Sequence, residues 1–213
     1  MLNIWGRMSS INVRKVVWCA QELGLDFQRT EAGGKFGVVQ TPEYLALNPN
    51  AVVPTIDDGE GAERVTLWES NVIVRYLCAR HSLGDLYPSE LPARFDAERW
   101  MDWQQTTLNR ASRDAFIQWV RKPPAQRQPA LIQASVRATE PLFALLDAHL
   151  ATRAHVGGER FTMADIPLGC EAHRWFGLPA SEYQRPAWPH LERWYAALLA
   201  RPAARGVLDL SLE

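Results

Sequence analysis

The stretch Leu2-Asn3-Ile4-Trp5-Gly6-Arg7-Met8-Ser9-Ser10-Ile11-Asn12-Val13-Arg14-Lys15-Val16-Val17-Trp18-Cys19-Ala20-Gln21-Glu22-Leu23-Gly24 decides how the rest of the chain is read. Leu2 to Trp5 is short and apolar, as a strand would be. Gly6 to Ser10 reads as a loop. Val13, Val16, Val17, Ala20 and Leu23 then recur at the spacing of one helix face, and Gly24 stands where a helix stops. Strand, loop and helix in that order open a βαβ unit. Asp26 to Thr30 reads as its second strand. Gly33, Gly34 and Gly37 follow in a loop, and a short helix opens at Thr41-Pro42, since proline suits a first helical turn. Val52 to Ile56 is apolar and β-branched, Asp57-Asp58-Gly59 has turn chemistry, and Arg64 to Trp68 reads as a returning strand, so an antiparallel hairpin is predicted. From Ser70 the spacing predicts a helix to about His81.

Past that helix the pattern changes. Gly84, Pro88 and Pro92 punctuate a linker, and everything beyond it has helical periodicity. The expected division is a first domain over 1–82 and an all-helical domain over 88–213. Its helices are predicted at about 90 to 120, 130 to 151, 162 to 174 and 188 to 200, separated by Pro123-Pro124, Gly157-Gly158 and Pro186. Thr162-x-x-Asp165 resembles a capping box with Asp in place of Glu or Gln, whose ordinary work is to start a helix.

Bulk chemistry excludes several classes. Twenty-three basic and 24 acidic residues leave a formal charge of −1, and no run of five like charges occurs, which argues against nucleic acid as a partner. No apolar run approaches the ~20 residues that span a bilayer, and Met1 to Ser10 lacks the apolar core of a signal peptide, so a cytoplasmic protein without a membrane partner is expected. Cys19, Cys78 and Cys170 are odd in number and widely spaced, without a C-x-x-C pair or a histidine at ligand spacing. Neither a disulfide nor a metal site is expected, and each cysteine sits in an apolar helical pattern that suits an inert buried thiol. The nine tryptophans recur mostly at helical spacing and suit a core or the wall of a cleft.

The order βαβ, hairpin, helix is that of a thioredoxin-like α/β domain, here followed by an all-α helical bundle. Ser9-Ser10-Ile11-Asn12-Val13-Arg14-Lys15, Pro42-Glu43-Tyr44-Leu45-Ala46-Leu47-Asn48-Pro49-Asn50, Val53-Pro54 and Trp68-Glu69-Ser70-Asn71 resemble, in order, the segments of cytosolic glutathione transferases. The likeness is greatest to the bacterial, theta-like branch that uses serine, and it continues more weakly through Phe161-Thr162-Met163-Ala164-Asp165.

The resemblance implies that Pro54 follows a cis peptide bond, leaving the Val53 backbone free to pair with the cysteinyl part of glutathione as an added strand. Only ~5% of X-Pro bonds in folded proteins are cis, and by itself Pro54 reads as an edge proline. It also implies that Glu69 and Ser70 hold the γ-glutamyl end; Ser70 is placed to cap a helix and offer its hydroxyl to an anion. Ser10, just before the first helix, has a hydroxyl and the helix dipole to favour a thiolate. Lowering a thiol pKa from ~8.5 to near 6.5 takes about 2.7 kcal/mol, within reach of one charge-assisted hydrogen bond and a dipole. Ser9 is the rival for that role and Asn12 a second donor; as isolated features all three read as helix-cap residues.

Two matching positions depart from the family pattern. Where many members carry a basic residue for the glycyl carboxylate, this chain has Val39 and Gln40, and Gln40 adds a hydrogen bond without a charge. Lys35, Arg110 and Arg113 are alternative cations, each of which also reads as solvated surface. A small apolar electrophile is expected between the domains, against Trp100, Trp103, Thr107, Arg110, Phe116, Trp119, Trp175 and Phe176, about half of which must be core because a helix turns only one face to a cleft. A homodimer is implied by the resemblance. The rival readings are a glutathione-dependent dehalogenase, isomerase or peroxidase on the same scaffold, or a transferase-like binding module without turnover. A glutaredoxin-like reductase would need a cysteine where the first loop holds serines.

Overall fold

A computed structural model describes residues 1–212, which form two compact units, Met1–Ser89 and Glu90 onward. In the first unit β1 (Leu2–Trp5), α1 (Ile11–Glu22), β2 (Phe27–Thr30), α2 (Pro42–Leu47), β3 (Thr55–Asp58), β4 (Val65–Trp68) and α3 (Ser70–His81) follow one another. The sheet order is β2-β1-β3-β4, with β1 parallel to β2 and antiparallel to β3, and β3 antiparallel to β4. This is the thioredoxin-like arrangement read from the sequence. Leu2 and Ile4 point inward from β1, α1 packs on α3, and Val13, Val16, Trp18, Ile73, Val74 and Leu77 fill the core. The glycine stop holds in detail: Gly24 at φ +63° donates to the Gln21 carbonyl and Leu25 to that of Ala20, the paired bonds that close a helix through a left-handed residue.

The hairpin differs from expectation. Val52 and Val53 lie outside β3, which instead runs through Asp57 and Asp58, and the turn is the short 3₁₀ segment Gly61–Glu63. Two aspartates belong in a buried strand here because both are paired. Asp57 takes a two-point contact from Arg64, at 2.6 and 2.5 Å, and Asp58 accepts from Tyr76 and Arg80 at 2.9 and 3.2 Å. Ser70 is likewise not the cap of α3 but its first residue; Glu69 occupies the capping position.

The second unit is all-helical: α4 (Leu91–Trp103), α5 (Asn109–Phe116), α6 (Pro129–Leu150), α7 (Asp165–Phe176) and α8 (Pro189–Leu199). The single helix predicted from 90 to 120 is continuous but carries two π-helical turns, Gln104–Leu108 and Ile117–Arg121. The first has a visible cause. Residues five apart stand about 140° around a regular α-helix, whereas a π turn brings them together. Gln104 and Asn109 thereby both reach the buried Glu171 carboxylate, at 2.7 and 2.9 Å, and Ser112 joins them at 2.6 Å. At the start of α7 the Thr162 N–H donates to Asp165 at 2.8 Å, the acidic half of the capping box; the Thr162 hydroxyl lies 3.4 Å from the Ala164 N–H rather than on that of Asp165. Among the described residues no helix is long and apolar enough to cross a membrane, and no cluster of His, Cys, Asp or Glu has metal-holding geometry.

Candidate active site

The strand pairing brings the loop that leads to Ser10, the Val53-Pro54 segment and the Glu69-Ser70 segment to one end of the sheet. Trp5 lies opposite Thr55, and Thr55 opposite Trp68, so the chain entering β3 through Val53 and Pro54, the chain leaving β1 and the chain leaving β4 all meet the sheet at the same end. The loop that leaves β1 toward Ser10 and the segment that leaves β4 toward Glu69 therefore flank Val53. Gly6 makes the first of these turns feasible: at φ +152° it donates to the Thr30 carbonyl, and a Cβ there would come 2.3 Å from Val13 Cγ2.

Ser10 is the N-cap of α1, with extended backbone (φ −90°, ψ 121°), yet its side chain makes no capping hydrogen bond. Its N–H donates to the Arg7 carbonyl at 3.1 Å and its carbonyl accepts from Arg14 at 3.0 Å. The hydroxyl is left over at the positive end of a twelve-residue helix. Asn12, in the first turn, has a buried side-chain oxygen without a partner. Turned over, the same amide presents an N–H there.

Val53–Pro54 is a cis peptide bond, as the resemblance implied. Val52 accepts from the Tyr44 hydroxyl and the Asn48 amide at 2.6 and 2.9 Å, while the N–H and carbonyl of Val53 have no backbone partner, an unused strand edge one residue long. Glu69 is held at φ +72°, ψ 107°, outside the regions a side chain normally favours, with its carboxylate exposed. Ser70 beside it is 3% exposed, and its hydroxyl carries no hydrogen bond among the described residues. Gln40 is exposed just before Thr41, whose side chain accepts from Tyr44 N–H to start α2. Lys35 is exposed over the Phe36 ring, and Arg110 and Arg113 lie exposed on α5.

Packing within the helical unit settles which aromatic residues are core. Trp100, Phe116, Trp119 and Trp175 are buried, Trp103 and Phe176 are half-buried, and Thr107 and Arg110 are exposed. All three cysteines are buried, as expected, and none is in a disulfide among the described residues; the spacing did not reveal that Cys19 and Cys78 bring their sulfurs to 3.5 Å across α1 and α3. Burial pushes the Cys19 thiol well above its ordinary pKa, and the neighbouring Cys78 adds to the rise.

A βαβ–ββα sheet domain whose third strand is entered through a valine and a cis proline, followed by a helical bundle, defines a two-domain protein of the thioredoxin-like class. Residues 9–80 match the family model of the glutathione S-transferase N-terminal domain and residues 112–202 that of the C-terminal domain. The chain is 40% identical over 213 residues to glutathione S-transferase GstB of Escherichia coli strain K12, covering all of both chains. It is 28% identical to glutathione S-transferase 3 of Zea mays, over 95% of this chain and 90% of that one. Among solved structures, the theta class glutathione S-transferase of Xanthomonas axonopodis pv. citri with glutathione bound superposes with a TM-score of 0.93 at 45% identity, over 100% and 99% of the two chains. The chain belongs to the glutathione S-transferase family. It is accordingly an enzyme with glutathione as its co-substrate.

Proposed function

We propose that this protein binds glutathione along the Val53 edge, ionises its thiol at the start of α1, and directs the thiolate onto a small apolar electrophile. One observation carries the reading: the peptide groups of Val53, which have no backbone partner among the described residues, come two residues before β3, whose neighbour β4 runs directly into Glu69 and the unengaged Ser70 hydroxyl, in the domain whose first helix begins with the unengaged hydroxyl of Ser10. Val53, held by Pro54, takes the cysteinyl backbone as a short added strand. Ser70 and the first N–H groups of α3 hold the γ-glutamyl carboxylate, and Glu69 faces its ammonium. Gln40 hydrogen-bonds the glycyl end.

Ser10 then donates to the sulfur, with Asn12 as a second donor and the α1 dipole adding to both. Each donor is stronger toward the anion than toward the neutral thiol, so the thiol pKa falls and a larger fraction is nucleophilic at neutral pH. The thiolate attacks the electrophile directly and no covalent enzyme intermediate forms. The helical domain supplies the electrophile's surroundings from the side chains its own packing leaves accessible, Trp103, Thr107, Arg110 and Phe176. The protein works as a cytoplasmic homodimer.

Retention on glutathione-agarose, conjugation of a generic aryl chloride, and the ultraviolet band of the bound thiolate across pH test this reading in wild type, Ser10→Ala and Ser9→Ala. Ser10→Ala is expected to stay on the resin and to raise the thiol pKa by about two units. Retention without turnover in the wild type, or a thiol pKa that neither serine moves, would overturn it.

A further inference from the structure

Arg7 is a cation of the first unit that neither the proposed chemistry nor the packing gives a partner among the described residues. It is half-buried in the loop three residues before Ser10, and its guanidinium has no hydrogen-bond or ion-pair partner among the described residues. The neighbouring Arg29 is engaged, donating to the Gly6 carbonyl at 2.7 Å and to Glu31 at 2.6 Å. Two glycines let the Arg7 side chain lie where it does. A Cβ at Gly33 would stand 2.7 Å from Arg7 Nη1, and one at Gly34 3.1 Å from its Nε and Cζ; Gly33 and Gly34 have φ of +78° and +58°. The same Gly33 point is 3.3 Å from Val53 Cγ1, so the guanidinium and the Val53 side chain both border Gly33.

We propose that Arg7 is a carboxylate-binding residue of the transferase reaction, its guanidinium taking a carboxylate presented next to the cysteinyl segment held by Val53. The inference rests on the glutathione-binding reading above. A half-buried guanidinium without a partner forfeits hydration that nothing in the protein replaces. A planar, permanently charged fork suits a carboxylate at two points. Arg7 thus supplies the fixed positive charge that Val39 and Gln40 lack. The carboxylate has two sources, the glycyl end of glutathione and an acid group on the electrophile.

The experiment compares wild type with Arg7→Ala and Arg7→Lys. Calorimetric titration uses glutathione and its glycyl ethyl ester; steady-state kinetics uses a neutral aryl chloride and the same ring bearing a carboxylate. If the glycyl end is the ligand, Arg7→Ala weakens glutathione binding about 10- to 100-fold and leaves ester binding within about twofold. If the electrophile is the source, KM rises by a similar factor for the acidic aryl chloride alone. Arg7→Lys is expected to fall between wild type and Arg7→Ala in whichever arm responds. Equal losses for glutathione and ester with no preference between the two aryl chlorides, or no loss in any arm, would overturn the assignment. Conjugation by the wild type in the same assay separates that outcome from failure of the transferase reading itself.

Discussion

The Nε of Arg14 donates to the carbonyl oxygen of Met8 at 2.7 Å, folding the loop that carries Ser9 and Ser10 back against the helix it precedes. Arg14 is 5% exposed, so a buried cation helps hold a loop that the Ser10 N–H also closes, on the Arg7 carbonyl. The catalysis proposed for Ser10 depends on where that loop holds the hydroxyl, and a misplacement of about 1 Å costs up to 100-fold in rate. Arg14→Gln is therefore expected to lower kcat at least tenfold and raise the bound thiol's pKa, with the glutathione Kd almost unchanged because the anchors proposed for the peptide, Val53 and Ser70, remain. Calorimetry and thiolate absorbance separate these. A loss confined to stability would make Arg14 structural only.

Gly6 marks the closest approach of that loop to α1. A methyl group there would press on Val13 Cγ2 at 2.3 Å, in a buried region with no space to yield. Gly6→Ala is expected to cost about 3 kcal/mol, from overpacking and an unfavourable φ together. Removing the obstructing methyls with Val13→Ala should return part of that loss, so that the double variant is more stable than the sum of the single changes predicts. Urea denaturation of the four proteins measures the coupling, and strict additivity would contradict it.

The three buried cysteines make a simpler test. With Cys19 and Cys78 both at 0% exposure and the Cys19 thiol pushed up by burial, neither offers a thiolate to a reagent. A disulfide-exchange reagent at pH 8 is expected to titrate no thiol in the native protein and all three once it is unfolded in guanidinium. A thiol that reacts in the native state would reopen the cysteine-based reading that the serines of the first loop argue against.

Much of this was legible in the chain because period and punctuation agreed. The apolar alternation before Gly6, the helical stripe ending at Gly24 and the Ser70 to His81 helix depend on near neighbours, and all formed as read. The strand containing Asp57 and Asp58 was not legible, since acidic residues next to glycine are ordinary turn chemistry. Only the later Arg64, Tyr76 and Arg80 make them strand residues. The same distance limit hid the Cys19–Cys78 approach and the π turn at Gln104, whose cause is Glu171, 67 residues further on. Arg7 was passed over as loop because a cation draws notice through the partner it has. Its position is fixed by what Gly33 and Gly34 lack.

Asp165 carries a prediction with a definite sign in pH. Its carboxylate is fully buried and accepts from the Val156 and Thr162 N–H groups and the Trp194 indole at 2.9, 2.8 and 2.8 Å. Burial raises its pKa above the usual 3.8, against those three donors and the nearby His155, which all pull it down. A folded state with the higher pKa binds the proton more tightly than the unfolded chain. The group's contribution to stability is then complete below the unfolded value and declines as pH rises through the folded one. Asparagine does not titrate and sets an amide against one of the three donors, a loss of about 2–4 kcal/mol. The stability gap between wild type and Asp165→Asn should therefore be widest at the acid end, narrow as the pH climbs through the carboxylate range, and stay constant beyond it. Urea midpoints and slopes taken in steps from about pH 4 to pH 7 measure that gap, with the other titrating groups common to both proteins. A gap that widened with rising pH would mean that the three donors outweigh burial at this site.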